Sequence, residues 1–277
     1  MLSVNASEPE AYKIAEKLGF LEESEALAVS VYEDKNDYCT EALYASQSEA
    51  ILAQTLVGGE VTNVENKDWV SETQSGLPPV RAGRFFVHGS HDADEIPDAV
   101  DHPILIDAGM AFGTGHHGTT KGCLVIFDEI LNDTTSFNSV LDLGCGAGIL
   151  AIAAAKALPS SKIMASDIDQ DAIDVTTENA KLNGVETIID AFTADGFVSK
   201  KLNGKNFNLI FANILAGPLM GLAPEIFQAT SPQGIVILSG ILNEQAETVA
   251  SHFTAQGFNI ESQISLEDWT SLLARRP

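Results

Sequence analysis

Residues 106–120 read IDAGMAFGTGHHGTT, a run of glycines, adjacent histidines and threonines ahead of an apolar segment. Two chemistries suit such a stretch. One is a metal site on His116 and His117; the other is a backbone loop shaped to wrap a ligand. Adjacent histidines point in different directions on most backbones, and no third ligand with metal-site spacing follows. Gly113 and Gly115 give the freedom to bend that a wrapping loop needs.

A second candidate is LDLGCGAGILAIAA, residues 141–154. An apolar strand runs into Gly144, Gly146 and Gly148, then into an alanine-rich helix. Glycines let the backbone turn tightly and let a ligand press against it. The dinucleotide fingerprint is GxGxxG, with a glycine where Ile149 stands, so the spacing departs from an NAD site. It fits a nucleoside without a phosphate. Taken alone, a tight strand-to-helix turn explains it equally well.

Asp167 closes the next strand, in MASDID. A carboxylate there can accept both ribose hydroxyls. Asp169 is better placed to cap the following helix, which leaves Asp167 free. Asp195 is either an acceptor for an adenine amino group or a loop aspartate. Asn213, in FANILAGP, ends a fourth strand. Its amide oxygen can accept a hydrogen bond from a substrate amine, as can the neighbouring Ile214 and Leu215 carbonyls.

The elements that position these residues alternate. From Ile104 onward, strands are expected at 140–143, 162–166, 187–193, 207–212 and 234–239. Helices are expected at 149–158, 171–183, 215–229 and 244–256, and 258–265 with 268–273 form a closing antiparallel pair. This rhythm predicts an α/β, Rossmann-like parallel sheet with helices on both faces and ligands beyond its carboxyl ends. Residues 1–65 read β-α-β-β-α-β, a small ferredoxin-like α+β module. Residues 66–103, with Trp69, Pro78-Pro79 and HDADEIPDAVDH, read as a linker with one or two strands, Arg84–His88 among them. His88, His91 and His102 read as solvated loop histidines.

The bulk numbers set bounds. With 277 residues and 45% hydrophobic content, a packed core can form. No apolar run approaches about 20 residues, so no membrane span is expected. No secretory leader is evident, and Cys39, Cys123 and Cys145 suggest no disulfide framework, so a cytoplasmic setting is expected. A net charge of −24 disfavours a nucleic-acid groove and attracts basic partners. A merely solvated acidic surface explains it as well.

Together these features resemble the class I methyltransferases that use S-adenosylmethionine. AFGTGHHGTT, LDLGCGAGILAIAA, ANILAGPL and LSGIL with Gln245, in that order, resemble the ribosomal protein L-eleven methyltransferase (PrmA) family. The resemblance is strong over residues 104–277 and weaker through Pro79, Trp69 and the N-terminal module. The chain has Asp107-Ala108-Gly109 where the family commonly has DPG, and His116-His117-Gly118 where it commonly has Thr-His-Pro.

The resemblance implies an enzyme that methylates lysine side chains and the N-terminal amine of ribosomal protein L-eleven; a monomer without a metal is expected. It implies cofactor contacts at Thr120, Gly144, Asp167 and Asn213. Phe112, Gly113 and His117 would belong to the covering loop, Gly146 to the glycine turn, and Asp142 would hold the methionine end. Asn213 would be the catalytic residue that positions the amine. Residues 1–65 would recognise the substrate, 66–103 link, and 104–277 catalyse. Methyl transfer to another protein or a small amine, and a non-catalytic nucleotide-binding module, are the alternatives.

Overall fold

A computed structural model describes residues 1–19, 28–34, 37–44, 46–62, 79–97, 100–107, 117–133 and 137–277. They fall into two compact units, Met1–Trp69 and Val70–Pro277. The first unit holds β1 (Leu2–Ala6), α1 (Glu8–Gly19), β2 (Ala28–Asp34), β3 (Asp37–Leu43), α2 (Gln47–Val57) and β4 (Glu60–Val61). Its sheet is antiparallel in the order β2-β3-β1-β4. That is the ferredoxin-like arrangement. Alternation places Leu2 and Val4 inside and leaves Asn5 exposed. Leu18, Ala42, Ala50 and Ala53 complete this small core.

In the second unit, β5 (Val80–Ala82), β6 (Phe85–His88) and β7 (His102–Leu105) form a three-stranded sheet. These strands run through the stretch expected as a linker. His88 departs from the solvated loop histidine expected. It is a buried strand residue whose Nδ1 lies 2.7 Å from the Gly89 carbonyl oxygen. His102 is half-buried against Phe85, and burial lowers its pKa.

The remaining elements are α3 (His117–Asp133), β8 (Ser139–Leu143), α4 (Ile149–Ala157), β9 (Lys162–Asp167), α5 (Gln170–Leu182) and β10 (Ile189–Thr193). There follow β11 (Phe207–Asn213), α6 (Ala216–Gly221), α7 (Ala223–Ala229), β12 (Thr230–Leu242), α8 (Ala246–Ala255), β13 (Asn259–Leu266) and β14 (Trp269–Arg275). The seven-stranded sheet runs β10-β9-β8-β11-β12-β14-β13. Its first five strands are parallel, and β14 pairs antiparallel with both neighbours.

The period-2 alternation of buried strands sorts side chains onto two faces. Val140, Ile163, Leu209 and Ile237 pack with Leu124 and Phe127 of α3, with α4, and with Ile173 and Ala180 of α5. Leu141, Met164, Ile210 and Val236 pack with α6, α7 and α8. Small side chains let α4 sink into the core, with Ile149–Ala155 all buried.

The single helix expected over 215–229 is instead two. Pro224 has no N–H and its ring crowds the carbonyl four residues back, so the chain stops after Gly221 and restarts from Leu222. No described helix is long and apolar enough to cross a membrane.

Candidate active site

The glycine turn follows from a backbone need. Gly144, Gly146 and Gly148 have φ of 72°, 52° and 81°, a region where a side chain is strained. The turn is strapped to the next strand. The N–H groups of Gly144 and Cys145 donate to the Ser166 carbonyl at 2.8 and 3.0 Å. Gly146 N donates to Asp167 Oδ2 at 2.9 Å, and Asp169 N donates to Asp167 Oδ1 at 3.1 Å. Asp167 is left out of the helix cap, as expected, but its carboxylate is held by two backbone amides. Asp169 caps α5 as expected, accepting from Asp171 N at 2.9 Å.

Asp142 lies under this turn, 1% exposed. Its Oδ2 accepts from Ala151 N at 2.9 Å. Burial pushes its pKa up to about 7 against that hydrogen bond, and the Asp167 charge pushes the same way. Cys145, also in the turn, is raised by burial into an inert thiol.

Thr119 and Thr120 enter from the first turn of α3. That helix end is seated on the sheet by two close approaches. A Cβ at Gly118 would come within 3.0 Å of the Leu266 carbonyl oxygen, and one at Gly122 would overlap Ser271 Oγ. Ser239 Oγ donates to the Thr119 carbonyl at 3.3 Å and lies 2.7 Å from Ser271 Oγ. The spacing of Gly118 and Gly122 was the sequence signal for this seam. Ser239 and Ser271 carried none.

Asn213 ends β11 in register with Ser239 of β12. No described residue engages its amide. Beside it, a Cβ at Gly240 would come within 2.7 Å of the Ile214 carbonyl carbon, so β12 passes Ile214 closely. The Leu215 carbonyl, expected to face an amine, accepts from Leu219 N at 3.0 Å and starts α6. The Ile214 carbonyl is left for that role.

These strand ends surround one cavity of about 1020 Å³. Thr120, Asp142, Gly144, Gly146, Asp167, Asp195 and Asn213 all line it. Phe112 and Gly113, with Gly115 and His116, lie outside the described residues, and His117 begins α3. Sequence reasoning missed Trp269 and Ser166 in the cavity wall. Ser166 Oγ is buried with no hydrogen-bond partner. Among the described residues no cluster could hold a metal ion.

A parallel sheet of this order, with a glycine turn after its first strand and acidic and amide residues at the next strand ends, defines a class I methyltransferase. The family model for ribosomal protein L11 methyltransferase (PrmA) matches residues 3–277. The chain belongs to that family.

Ribosomal protein L11 methyltransferase of Rhodopseudomonas palustris is 48% identical over 214 residues, covering 77% of this chain and 72% of the relative. That of Brucella abortus is 41% identical over 268 residues, covering 94% and 93%. A crystal structure of the ribosomal protein L11 methylase from Lactobacillus delbrueckii subsp. bulgaricus superposes with a TM-score of 0.64. It is 27% identical and covers 72% of this chain and 99% of its own.

Proposed function

We propose that this chain transfers methyl groups from S-adenosylmethionine to lysine side-chain amines and the N-terminal amine of ribosomal protein L11. The observation that carries the reading is convergence: Thr120, Asp142, Gly144, Asp167 and Asn213 line one cavity in a member of this family.

The residues present fit the cofactor. Each Asp167 oxygen holds one backbone amide and has a further lone pair for a ribose diol. The orphaned Ser166 hydroxyl lies in the same wall. Asp142 is a buried carboxyl whose charged form a sulfonium or ammonium would offset. When bound, the cofactor supplies a methyl group already activated on a sulfonium.

The chain's own task is to align a neutral amine and exclude water. Alignment of this kind supplies about 7–11 kcal/mol of a barrier. Asn213 accepts from the amine, with the Ile214 carbonyl beside it. A lysine with a pKa of about 10.4 must first lose a proton; burial favours that loss, and the carbonyl acceptors orient the neutral amine through its remaining N–H groups. We assign residues 1–65 to substrate recognition, 66–103 to the connection and 104–277 to catalysis. The net charge of −24 suits a basic substrate, and a ribosomal substrate suits an enzyme at work in the cytoplasm.

Mass spectrometry of purified ribosomal protein L11 after incubation with this chain and S-adenosylmethionine tests the reading. Additions in steps of one methyl mass are expected. No additions, despite measurable cofactor binding, would discard the substrate and keep the methyltransferase.

A further inference from the structure

Helix α5 carries a polar stripe on a face that is turned inward. Thr176, Asn179 and Asn183 are spaced i, i+3 and i+7, on one side of the helix. Thr176 and Asn179 are fully buried. Polar groups in such a place cost free energy unless they are hydrogen-bonded. The other buried positions of α5 include Ala172, Ile173 and Ala180, so packing alone calls for apolar residues here.

Each polar group of the stripe holds backbone. Thr176 Oγ1 donates to the Gly146 carbonyl at 2.8 Å. Asn179 Nδ2 donates to the Ala147 carbonyl at 3.0 Å, and its Oδ1 accepts from Asp107 N at 3.4 Å. Asn183 takes both backbone groups of Leu105, at 2.7 and 3.0 Å. Thr176 also fills the space behind Gly148, where a Cβ would come within 2.8 Å of its methyl.

The glycine turn is thus gripped from both sides. Its carbonyls at Gly146 and Ala147 are drawn back toward α5, while Gly146 N holds Asp167 in front. The Gly144 carbonyl is engaged by no described residue, and Gly144 lines the cavity.

We propose that Thr176 and Asn179 are positioning residues for cofactor binding, fixing the glycine turn, and through it the Asp167 carboxylate, in the frame set by Leu105–Asp107. The inference rests on the function proposed above. Removing the Thr176 hydroxyl takes the partner from the part-buried Gly146 carbonyl. The turn relaxes, and Asp167 moves with it.

The test compares Thr176→Val, Thr176→Ser and Asn179→Asp with the wild type. Thr176→Val keeps the shape and loses the donor. Thr176→Ser keeps the donor. Asn179→Asp keeps the acceptor for Asp107 N and, once ionised, loses the donor to Ala147, so it is measured well above pH 7.

In Thr176→Val and Asn179→Asp, the Kd for S-adenosylhomocysteine and the KM for S-adenosylmethionine should rise about tenfold. Their kcat should stay within about twofold. Thr176→Ser should restore the wild-type values. Thermal melts identify which variants fold, and either donor-deleting variant suffices. Unchanged Kd and KM in one that folds, even with a lowered Tm, would overturn the proposal and leave the stripe a purely structural device. A wild-type protein that does not bind S-adenosylhomocysteine would instead remove the proposed function beneath it.

Discussion

Replacing Asp142 with Asn should stabilise the ligand-free protein and weaken its hold on the cofactor. The carboxyl is buried, and its pKa is pushed from 3.8 to about 7. The folded chain therefore keeps a proton that the unfolded chain has already released as the pH climbs from about 4 to 7. Stability falls through that window and stays low above it. At about 1.4 kcal/mol per pH unit, the cost reaches about 4 kcal/mol above pH 7 and about half that near pH 5.5.

Asn retains an oxygen to accept from Ala151 N but carries no charge. Burying its amide hydrogens takes back a part, so we expect a net gain of about 1–3 kcal/mol at pH 8. The gain should shrink toward pH 5.5. Urea denaturation of both proteins at the two pH values measures it. Calorimetry with S-adenosylmethionine should show weaker binding by Asp142→Asn. In buffers of different ionisation enthalpy, the wild type near pH 7 should release a proton on binding and the variant should not. A variant less stable than wild type at pH 8, with the same deficit at pH 5.5 and unaltered binding, would refute the reasoning.

Other outcomes follow from geometry already described. Asn213→Ala should lower kcat by about 100-fold or more while cofactor Kd changes by less than about threefold; stopped-time assays with calorimetry separate the two. Gly122→Ala forces a Cβ into Ser271 Oγ and should destabilise by about 1–3 kcal/mol, read from the urea midpoint. Deleting residues 1–65 should abolish methylation of ribosomal protein L11 but leave S-adenosylhomocysteine binding intact. Loss of both, in a truncated chain shown by its thermal melt to fold, would refute the assignment of residues 1–65 to substrate recognition alone.

The parts that sequence made legible are those governed by local rules. Short apolar runs mark β8, β9 and β11, and the GxGxG spacing marks the turn. Asp169 announces itself as a cap because its carboxylate reaches Asp171 N two residues on. What was hidden depends on distant partners. Thr176, Asn179 and Asn183 lie in a helix the sequence locates, but their partners Gly146, Ala147 and Leu105 are 30 to 78 residues away in the chain. Ser239 and Ser271 are far apart in the chain and meet only when β14 pairs with β12. Even Pro224, which divides the 215–229 helix, was legible in principle, but the strong apolar period around it masked the break.

The Asp167 carboxylate is fastened at both oxygens, to Gly146 N and Asp169 N, with no ligand needed to set it. A fixed acceptor selects differently from a mobile one. If it takes a ribose as proposed above, it cannot swing to follow a nucleoside that lacks one hydroxyl, and a deoxy analogue should bind more weakly. Such an acceptor also has little order to lose when a complete ribose arrives. On the function proposed above, discrimination between a sugar and its deoxy relatives rests on two backbone amides, which no side chain at Gly146 or Asp169 supplies and which, at Asp169, proline alone would delete.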